Sequence, residues 1–420
     1  MLELFHMNLA QELTERGFIH QISAATLTDI IDKEKRTIYH GIDPSADSAH
    51  VGNMVVWMLL RHLAQVGHKI VFLVGGGTGM IGDPKPDAER QLKDAQAVAE
   101  NVTKLKAQAE KFFVGYEIEF VDNLDWLGDL RLIDFLRDIG KHYTVNELIK
   151  KDAIATRLAS DTGLSYTEFA YPLLQGYDYL QLFQTKGCTV QVGGSDQWGN
   201  IISGVELVRR KLQTEVFAIT VPLVTDKATG KKFGKSEGNA VWLDVTKTSP
   251  YQFYQFWLNT SDESVIDYLK LFTTLPLEDI ETIKNYFESN PGERLAQKNL
   301  AFQVTKLVHG GELATAAQNV SEIMFGEGSL VDISNETKDI LLNNAPVAKV
   351  KVGDSLVDVL VDSGLATSKR EARTFIESGA VTIAGEKMLD VSLVVPAVPE
   401  KNNLLLLKRG KKQLCILEVN

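Results

Sequence analysis

A histidine and an asparagine near the start of an apolar helix are the first residues whose types and spacing suggest chemistry. His50 and Asn53 follow Asp47 and Ser48, which are typical helix N-caps, so a helix beginning there would place both side chains on one face of its first turn. Gly52 leaves room for a ligand against the backbone. A helix N-terminus with two donor side chains can bind an anion. A lone histidine at a helix start is more often structural, so this interpretation needs support from elsewhere in the chain.

A second segment suited to phosphate chemistry spans residues 231–238. It contains three lysines and two glycines and has no apolar periodicity, which predicts a mobile basic loop. Lys232 and Lys235 are flexible point charges that could follow a phosphate group during a reaction, with Ser236 beside them. Taken alone, the segment could equally be a solvated charged loop.

A glycine-rich run after an apolar strand resembles a dinucleotide-binding fingerprint. Residues 77–82 match G-x-G-x-x-G, but Asp83-Pro84 and Pro86 follow at once and oppose a continuing helix. The sequence also lacks a strand ending in an acidic residue about 20 residues further on. A nicotinamide oxidoreductase is therefore disfavoured, and the run predicts a turn at which a ligand can approach the backbone.

The elements that must position these residues follow an alternating pattern. Helical segments separate four predicted strands, which indicates a parallel α/β sheet. The predicted strands are 36–39, 69–74, 117–121 and 189–192. Residues 251 to about 325 show helical periodicity without a convincing strand, and a third unit with its own helices and short strands begins near 351.

Composition narrows the class of protein. The chain has 420 residues and a net charge of −11, which argues against a surface that coats nucleic acid or an anionic membrane. Residues 345–420 carry 11 Lys and Arg against 9 Asp and Glu, a balance of +2 that weakly suggests a nucleic-acid partner for this part. Cys188 and Cys415 belong to no metal-binding pattern, which predicts no zinc site, no disulfide and a reducing compartment. With an amphipathic rather than signal-like N-terminus and no long apolar run, the expected location is the cytoplasm.

The two phosphate motifs at this separation resemble the signatures of class I aminoacyl-tRNA synthetases. His50-Val-Gly-Asn53 is similar to the HIGH signature, and Lys232-Phe-Gly-Lys235-Ser236 is similar to the KMSKS signature. Four further runs resemble the bacterial tyrosyl-tRNA synthetase family, and the resemblance covers essentially the whole chain. These runs are residues 39–44, 75–84, 171–178 and 191–200.

The resemblance implies an ATP-dependent, AMP-forming ligase. Tyrosine and ATP would form tyrosyl-adenylate and pyrophosphate, and tyrosine would then pass to the 3′ end of tRNA(Tyr). Mg²⁺ would arrive with ATP rather than at a resident metal site, and the protein would be a homodimer without a membrane partner. The implied catalytic residues are His50, Asn53, Lys232, Lys235 and Ser236. The implied ATP and adenylate contacts are Gly41, Asp43, Gly52, Gly193, Asp196 and Lys235.

The resemblance also implies a tyrosine site with two polar ends. Asp83, Tyr171 and Gln175 would bind the ammonium group, and Gln197 would lie near the reacting carboxylate. Tyr39 and Asp178 would hydrogen-bond the phenolic hydroxyl and so separate tyrosine from phenylalanine.

Two positions depart from the family pattern. Asn53 stands where the signature has its second histidine, and an amide keeps a donor but carries no charge. The stretch after Pro84 is a residue shorter than the common pattern. Arg90 keeps a phosphate role in this interpretation, whereas it stays open whether Lys85 replaces the family's loop lysine.

Residues 355–385 resemble an RNA-binding domain named after a small-subunit ribosomal protein. Ser368 would cap a helix that carries a basic cluster, and a second basic cluster follows near the C-terminus. The implied tRNA contacts are Lys369, Arg370, Arg373, Lys408 and Arg409.

The resulting architecture has a Rossmann-like parallel-sheet catalytic domain, then a helical domain and a small α+β RNA-binding domain. The predicted boundaries are a catalytic domain at 1–225, a mobile KMSKS-type loop at 226–245, a helical anticodon-binding domain at 246–325, a linker at 326–350 and an RNA-binding domain at 351–420. The alternatives are a tryptophan-specific sister enzyme, against which Tyr39 and Asp178 argue, and a catalytically inactive RNA-binding protein on the same fold.

Overall fold

The computed structural model describes most of the chain as two compact units. The described residues are 7–84, 91–161, 163–225, 227, 235–236, 239–326, 328–398, 403–410 and 413–420. The first unit comprises residues up to 248 together with 260–296, and the second comprises 249–259 together with 297–420.

A six-stranded sheet forms the centre of the first unit, with the strand order β1-β6-β5-β2-β3-β4. All neighbouring strands are parallel except β1, which runs antiparallel to β6. Its strands are β1 (Gln21–Ile22), β2 (Thr37–Ile42), β3 (Lys69–Val74), β4 (Ile118–Asp122), β5 (Cys188–Gly194) and β6 (Phe217–Val221). The predicted parallel α/β core is confirmed, whereas β1 and β6 were not among the four predicted strands.

Helices cover this sheet. They are α1 (Leu9–Glu15), α2 (Leu27–Ile31), α3 (Met54–Gln65), α4 (Ala95–Phe112), α5 (Leu124–Leu127), α6 (Leu132–Asp138), α7 (Val145–Leu148), α8 (Asp152–Leu158), α9 (Tyr166–Lys186) and α10 (Trp198–Leu212). A short hairpin, β7 (Lys235–Ser236) with β8 (Asn239–Ala240), and the later helices α11 (Pro250–Leu258), α12 (Val265–Phe272) and α13 (Leu277–Ser289) follow in the chain.

The core explains why α3 and β3 lie together. Most of α3 is apolar and buried, and Trp57 packs edge-on against Phe72 of β3 with ring centroids 5.5 Å apart. The helix ends where Gly67 adopts φ +93°, a conformation that favours glycine.

The strand order reverses direction beside β2. From β2 the chain proceeds outward through β3 and β4, and it then returns to the other side of β2 for β5 and β6. Ligands of open parallel α/β sheets bind outside the carboxyl ends of the strands at such a reversal. The crevice between the ends of β2 and β5 is therefore the expected binding site.

The second unit contains α11, five further helices and an antiparallel-rich sheet. Its further helices are α14 (Leu295–His309), α15 (Gly311–Phe325), α16 (Asn335–Asn344), α17 (Leu356–Asp362) and α18 (Lys369–Glu377). Its strands are β9 (Val347–Val350), β10 (Val381–Ile383), β11 (Glu386–Met388), β12 (Leu404–Arg409) and β13 (Gln413–Val419). The sheet order is β11-β10-β12-β13-β9, with an apolar core that includes Leu356, Leu360 and Ile376.

The predicted linker at 326–350 needs a correction. This range contains α16 and β9, and β9 pairs with β13 as a strand of the C-terminal sheet. The helical range 246–325 is also divided, because α12 and α13 belong to the first unit whereas α11 belongs to the second. Among the described helices, none is long and apolar enough to cross a membrane.

Candidate active site

A cavity of about 430 Å³ opens at the carboxyl ends of β2 and β5, within the first unit. It brings together the predicted residues of the catalytic domain that the structure describes with their side chains. These are Tyr39, Gly41, Asp43, His50, Gly52, Asn53, Asp83, Tyr171, Gln175, Asp178, Gly193, Asp196 and Gln197. Lys85, Arg90 and Lys232 lie outside the described residues, and Lys235 and Ser236 are described only as backbone in β7.

One end of the cavity is buried and polar. The Tyr39 side chain projects from β2 and is 1% exposed, and its hydroxyl has no hydrogen-bond partner among the described residues. The Asp178 carboxylate from α9 accepts hydrogen bonds from Asn123 Nδ2 at 3.0 Å and from Trp126 Nε1 at 2.7 Å. This end therefore offers a hydroxyl donor and a carboxyl acceptor to a ligand that carries a hydroxyl group.

Burial shifts the acidity of both groups at this end. Desolvation raises the pKa of Asp178 to about 7, although its two hydrogen bonds oppose that rise. Desolvation also raises the pKa of the Tyr39 hydroxyl well above its usual value, so this hydroxyl keeps its proton. Tyr39 is thus a permanent donor, while Asp178 is easily protonated in the absence of a ligand.

A second carboxylate, Asp83, follows the glycine-rich run after β3. It accepts hydrogen bonds from Gln197 Nε2 at 2.9 Å and from Asn200 Nδ2 at 2.9 Å, both on the segment that begins α10. Burial is the main cause that raises the pKa of Asp83 to about 6. A carboxylate held in this way is poised to accept a cationic group.

Asp43 connects β2 to two other parts of the site. Its carboxylate accepts hydrogen bonds from the Tyr171 hydroxyl at 2.7 Å and from Thr78 Oγ1 at 2.7 Å. Since Tyr171 donates its proton to Asp43, its oxygen can meet a bound ammonium group only as an acceptor. The resemblance assigned Tyr171 and Asp43 to different substrates, and the structure joins them in one hydrogen-bonded group.

The start of the apolar helix differs from the sequence prediction. A 3₁₀ turn at Val51–Asn53 precedes α3, and the residue that caps this turn is His50 rather than Asp47 or Ser48. His50 Nδ1 accepts a hydrogen bond from the Gly52 amide at 3.0 Å, while Asn53 Oδ1 accepts one from the His50 amide at 3.0 Å. An imidazole can replace a carboxylate or hydroxyl here because its unprotonated nitrogen is also an acceptor.

This cap fixes the chemistry of the His50 ring. Because Nδ1 accepts a hydrogen bond, the proton of the neutral imidazole is on Nε2, which becomes a donor. The Asn53 amide likewise uses its oxygen in the cap, so its Nδ2 group is the donor that it can present to a ligand. Both side chains line the cavity as neutral donors suited to phosphate or ribose oxygens.

Two residues of the site carried no predicted role. Asn123, which is 0% exposed, accepts a hydrogen bond from the Gly77 amide at 2.8 Å and donates to Thr78 Oγ1 at 2.9 Å as well as to Asp178. Gln191 lies beside Tyr39 in the β2–β5 register, and no described residue forms a hydrogen bond with its buried Oε1. The position of Asn123 directly after β4, at the carboxyl edge of the sheet, could have indicated it.

Gly193 brings the end of β5 close to α10. A Cβ atom at Gly193 would lie 3.0 Å from Ile201 Cδ1 and 3.1 Å from Gln197 Cβ. Glycine therefore allows the strand end to meet the turn that carries Asp196 and Gln197.

The basic residues predicted in the C-terminal module lie on the surface or are held within it. Ser368 caps α18 by accepting a hydrogen bond from the Glu371 amide at 3.2 Å, as predicted. Lys369, Arg370 and Arg373 are exposed, and Lys369 pairs with Asp358 at 2.6 Å.

The second basic cluster is more engaged. Lys408 Nζ donates to the Gly326 carbonyl at 3.2 Å, and Arg409 Nη1 donates to the Leu365 carbonyl at 2.6 Å. The Arg409 guanidinium also lies 4.5 Å from the centre of the Phe375 ring. Among the described residues, no group of three His, Cys, Asp or Glu side chains could hold a metal ion.

Comparison with known proteins gives two family matches. Residues 32–326 match the class I tRNA synthetases for W and Y, and residues 336–417 match the SYY-like C-terminal domain of tyrosine–tRNA ligase. The chain is 45% identical to tyrosine–tRNA ligase 2 of Enterococcus faecalis, over 97% of this chain and 98% of that protein. It is 46% identical to tyrosine–tRNA ligase of Lactococcus lactis subsp. lactis, over 98% of this chain and 100% of that protein.

A solved structure agrees with these matches. A C-terminally truncated mitochondrial tyrosyl-tRNA synthetase of Aspergillus nidulans is 31% identical, with a TM-score of 0.67 over 74% of this chain and 92% of that one. A tryptophanyl-tRNA synthetase of Encephalitozoon cuniculi shares the fold, with a TM-score of 0.55 at 14% identity over 73% of this chain and 86% of that one. This chain therefore belongs to the tyrosine–tRNA ligases within the class I aminoacyl-tRNA synthetase family.

Proposed function

We propose that the cavity binds L-tyrosine and ATP together and forms tyrosyl-adenylate before tyrosine passes to tRNA(Tyr). The observation that carries this assignment is the buried Tyr39 hydroxyl, which has no partner within the described part of the chain and lies in the same cavity as the Asp178 carboxyl. A phenolic hydroxyl would accept a hydrogen bond from Tyr39 and donate one to Asp178. Phenylalanine would leave both groups buried and unpaired, which disfavours its binding.

The ammonium group of tyrosine would bind among acceptors elsewhere in the cavity. Asp83 supplies the charge, and the Tyr171 oxygen and the Gln175 side chain supply further acceptors. Gln197 bonds to Asp83 and would also lie near the tyrosine carboxylate. These contacts would fix the reacting carboxylate relative to the rest of the cavity.

The reaction then requires positioning and charge stabilisation rather than a covalent enzyme intermediate. A tyrosine carboxylate oxygen attacks the α-phosphorus of ATP, a new P–O bond forms, and the bond to the β-phosphate oxygen breaks to release pyrophosphate. His50 Nε2–H and Asn53 Nδ2 would donate to phosphate or ribose oxygens. Asp196, which lines the cavity, would accept from the ribose hydroxyls.

The lysine motif would supply positive charge to the departing phosphates. Lys232 and Lys235, with Ser236, have this role by their match to the family signature. Mg²⁺ would enter with the ATP phosphates, since it binds substrate phosphates readily and keeps several waters. Chelation of Mg²⁺ with EDTA should therefore abolish adenylate formation without unfolding the protein.

Two further assignments concern the whole protein. The two cysteines are both free and buried, which fits a reducing cytoplasm. Three large apolar residues of α6, Leu132, Ile133 and Leu136, are 69%, 67% and 42% exposed, which fits a homodimer that covers them. An Ile133→Asp variant should shift the sedimenting mass to the monomer, whereas Val114→Asp, at a similarly exposed site in the turn after α4, should not.

Amino-acid-dependent exchange of labelled pyrophosphate into ATP tests the chemistry directly. We expect exchange with tyrosine and none above background with phenylalanine or tryptophan, in the absence of tRNA. Exchange driven by tryptophan would transfer the protein to the sister specificity. No exchange in folded protein that still binds tRNA would support the inactive RNA-binding alternative.

A further inference from the structure

The segment 241–243, which follows the lysine motif in sequence, is hydrogen-bonded to the start of the apolar helix. The Val51 amide donates to the Val241 carbonyl at 3.0 Å, and the Leu243 amide donates to the Ala49 carbonyl at 2.9 Å. These bonds form an antiparallel bridge between His50 and Trp242. Two segments that are far apart in the sequence are thus held in a fixed register at the cavity.

Trp242 makes a direct contact with the His50 ring across this bridge. The two ring centroids are 6.1 Å apart and the ring planes are inclined by 68°, an edge-to-face arrangement. The Gly52 amide bonds to Nδ1 of the same imidazole. The cap and the tryptophan together restrict the direction in which Nε2–H can point.

The Trp242 ring also contacts a charged side chain, that of Lys247. Lys247 Nζ lies 5.4 Å from the centre of the Trp242 ring and pairs with Asp47 at 2.7 Å. Lys104 also pairs with Asp47, at 3.2 Å, and both lysines lower the pKa of Asp47, with Lys247 the larger cause. The Trp242 amide donates to Thr248 Oγ1 at 3.0 Å, and this bond connects the two ends of the segment 242–248.

We propose that Trp242 is a positioning residue for adenylate formation, acting through its edge contact with His50 while Lys247 holds its ring. The inference rests on the proposed function of His50 as a phosphate or ribose donor. It assigns to Trp242 an effect on the rate of the chemical step rather than on tyrosine binding. An aromatic contact of this type corresponds to a rate effect of about three- to tenfold.

The test is a double-mutant cycle on the full-length protein. The variants are Trp242→Leu, His50→Ala and the pair combined, and the measurement is the single-turnover rate of tyrosyl-adenylate formation at saturating tyrosine and ATP. Trp242→Leu should lower this rate about three- to tenfold in the parent chain and less than about twofold when His50 is already alanine. Equal factors in both backgrounds would show that Trp242 does not act through His50 and would overturn the proposal.

Two readouts separate positioning from a general loss of structure. The tyrosine dissociation constant should stay within about twofold of the parent value, because Trp242 does not line the tyrosine site. Trp242→Phe should recover most of the lost rate, since it restores a ring edge at the same position. A raised tyrosine dissociation constant, or no recovery in Trp242→Phe, would contradict the assignment.

A matched pair of lysine variants keeps the test decisive even if Trp242→Leu fails to fold. Lys247→Met and Lys104→Met each remove one partner of Asp47, but only Lys247 lies over the Trp242 ring. We expect Lys247→Met to slow adenylate formation about two- to fivefold and Lys104→Met to leave it unchanged. Equal effects of the two variants on the rate of adenylate formation would contradict the inference.

Failure of this inference can be distinguished from failure of the proposed function. If the parent protein shows no tyrosine-dependent pyrophosphate exchange, the proposed function fails and the inference with it. If the parent protein exchanges normally and the cycle shows no coupling between Trp242 and His50, the inference alone fails.

Discussion

Burial and a bound cation should shift the pKa of Asp83 in opposite directions. Its pKa is raised to about 6, so the free protein binds a proton at this carboxyl as the pH falls through 6. A bound ammonium group favours the ionised carboxylate and lowers this pKa. Tyrosine binding near pH 6 should therefore release a proton.

The tyrosine dissociation constant should consequently depend on pH. Protonation of Asp83 should raise this constant by up to about tenfold per unit below pH 6, because the protonated carboxyl no longer attracts the ammonium group, whereas a change between pH 8 and 7 would come from Asp178, whose pKa is about 7. Titration calorimetry in buffers of different ionisation enthalpy measures both the constant and the released proton. Asp83→Asn should bind weakly and should lose the part of the rise that Asp83 causes below pH 6, whereas a parent profile of the same shape as that of Asp83→Asn would remove Asp83 from the ammonium site.

Removal of the Tyr39 hydroxyl should lower activity without lowering stability. Because this hydroxyl is buried and has no partner in the described ranges, Tyr39→Phe removes an unsatisfied polar group and should leave the melting temperature equal or higher. The same change should lower kcat/KM for tyrosine about tenfold while leaving that for phenylalanine equal or higher. Pyrophosphate exchange and thermal unfolding measure the two effects.

Tyr179 offers the matched control for this variant. It is completely buried, its ring lies 5.0 Å from that of Tyr39, and its hydroxyl donates to the Phe217 carbonyl at 2.8 Å. Tyr179→Phe should cost about 1 kcal/mol of unfolding free energy and should not change amino-acid discrimination. If both variants lose discrimination alike, the effect comes from packing and not from the Tyr39 hydroxyl.

At this scale the sequence predicts residue types better than it predicts their partners. Tyr39, Asp83 and Asp178 could be named because motifs carry them, and the structure brings them to one cavity. Asn123 could not be named, since its contacts with Gly77, Thr78 and Asp178 depend on the spatial adjacency of β3, β4 and α9. The His50 cap was missed because aspartate and serine are the commoner capping residues.

Helices α9 and α10 act together as one wall of the cavity, and their separation depends on a glycine. A Cβ atom at Gly204 of α10 would lie 2.8 Å from Tyr179 Cβ and 2.9 Å from Tyr179 Cδ1 on α9. These atoms cannot move far, because Tyr179 is completely buried. The closeness of the two helices sets the distance between Asp178 on α9 and the Gln197 segment before α10.

Gly204→Ala should therefore push the two helices apart. We expect a loss of about 1–3 kcal/mol of unfolding free energy, measured by denaturant titration, together with weaker tyrosine binding. Gly199→Ala is the control in the same helix, because a Cβ there lies 3.9 Å from its nearest neighbours on Lys151. That change should be neutral or stabilising by up to about 1 kcal/mol, as for other helical glycines. Equal losses in both variants would exclude the contact with Tyr179 as the cause.

The long elements were predictable and the short ones were not. Residues 69–74 form a continuous apolar run and appear as β3 with the predicted bounds. The two residues of β1 and the four of β9 are too short to produce a pattern, and their pairing with β6 and β13 comes from tertiary contacts. Pro172 inside α9 also shows that a single breaker residue does not end a helix whose other contacts are strong.

For the whole molecule, the charge distribution predicts that tRNA binding and adenylate formation depend on different parts of the chain. The body of the chain is acidic, while α18 presents Arg370 and Arg373 at the surface of the C-terminal module. Phosphate contacts made by such residues are sensitive to salt. The module should thus contribute to tRNA binding without affecting adenylate formation.

Replacement of Arg370 and Arg373 by alanine tests this separation. Aminoacylation of tRNA should fall, and the slope of log affinity against log salt should decrease by about 2, whereas tyrosine-dependent pyrophosphate exchange should stay unchanged. Lys387→Ala removes an exposed positive charge from β11 of the same module and serves as the control. A loss of pyrophosphate exchange in the double variant would show that the two activities are not separable in this way.

The two-residue strand β1 has a consequence for solubility. Every residue of β6 is buried. Its outer edge pairs with β1, where the His20 amide donates to the Thr220 carbonyl and the Ser23 amide donates to the Ala218 carbonyl. An apolar strand with an open edge is a template for pairing with another molecule. Residues 20–23 thus protect the sheet against intermolecular strand addition, and damage to this short segment would expose the edge of β6 and lead to aggregation.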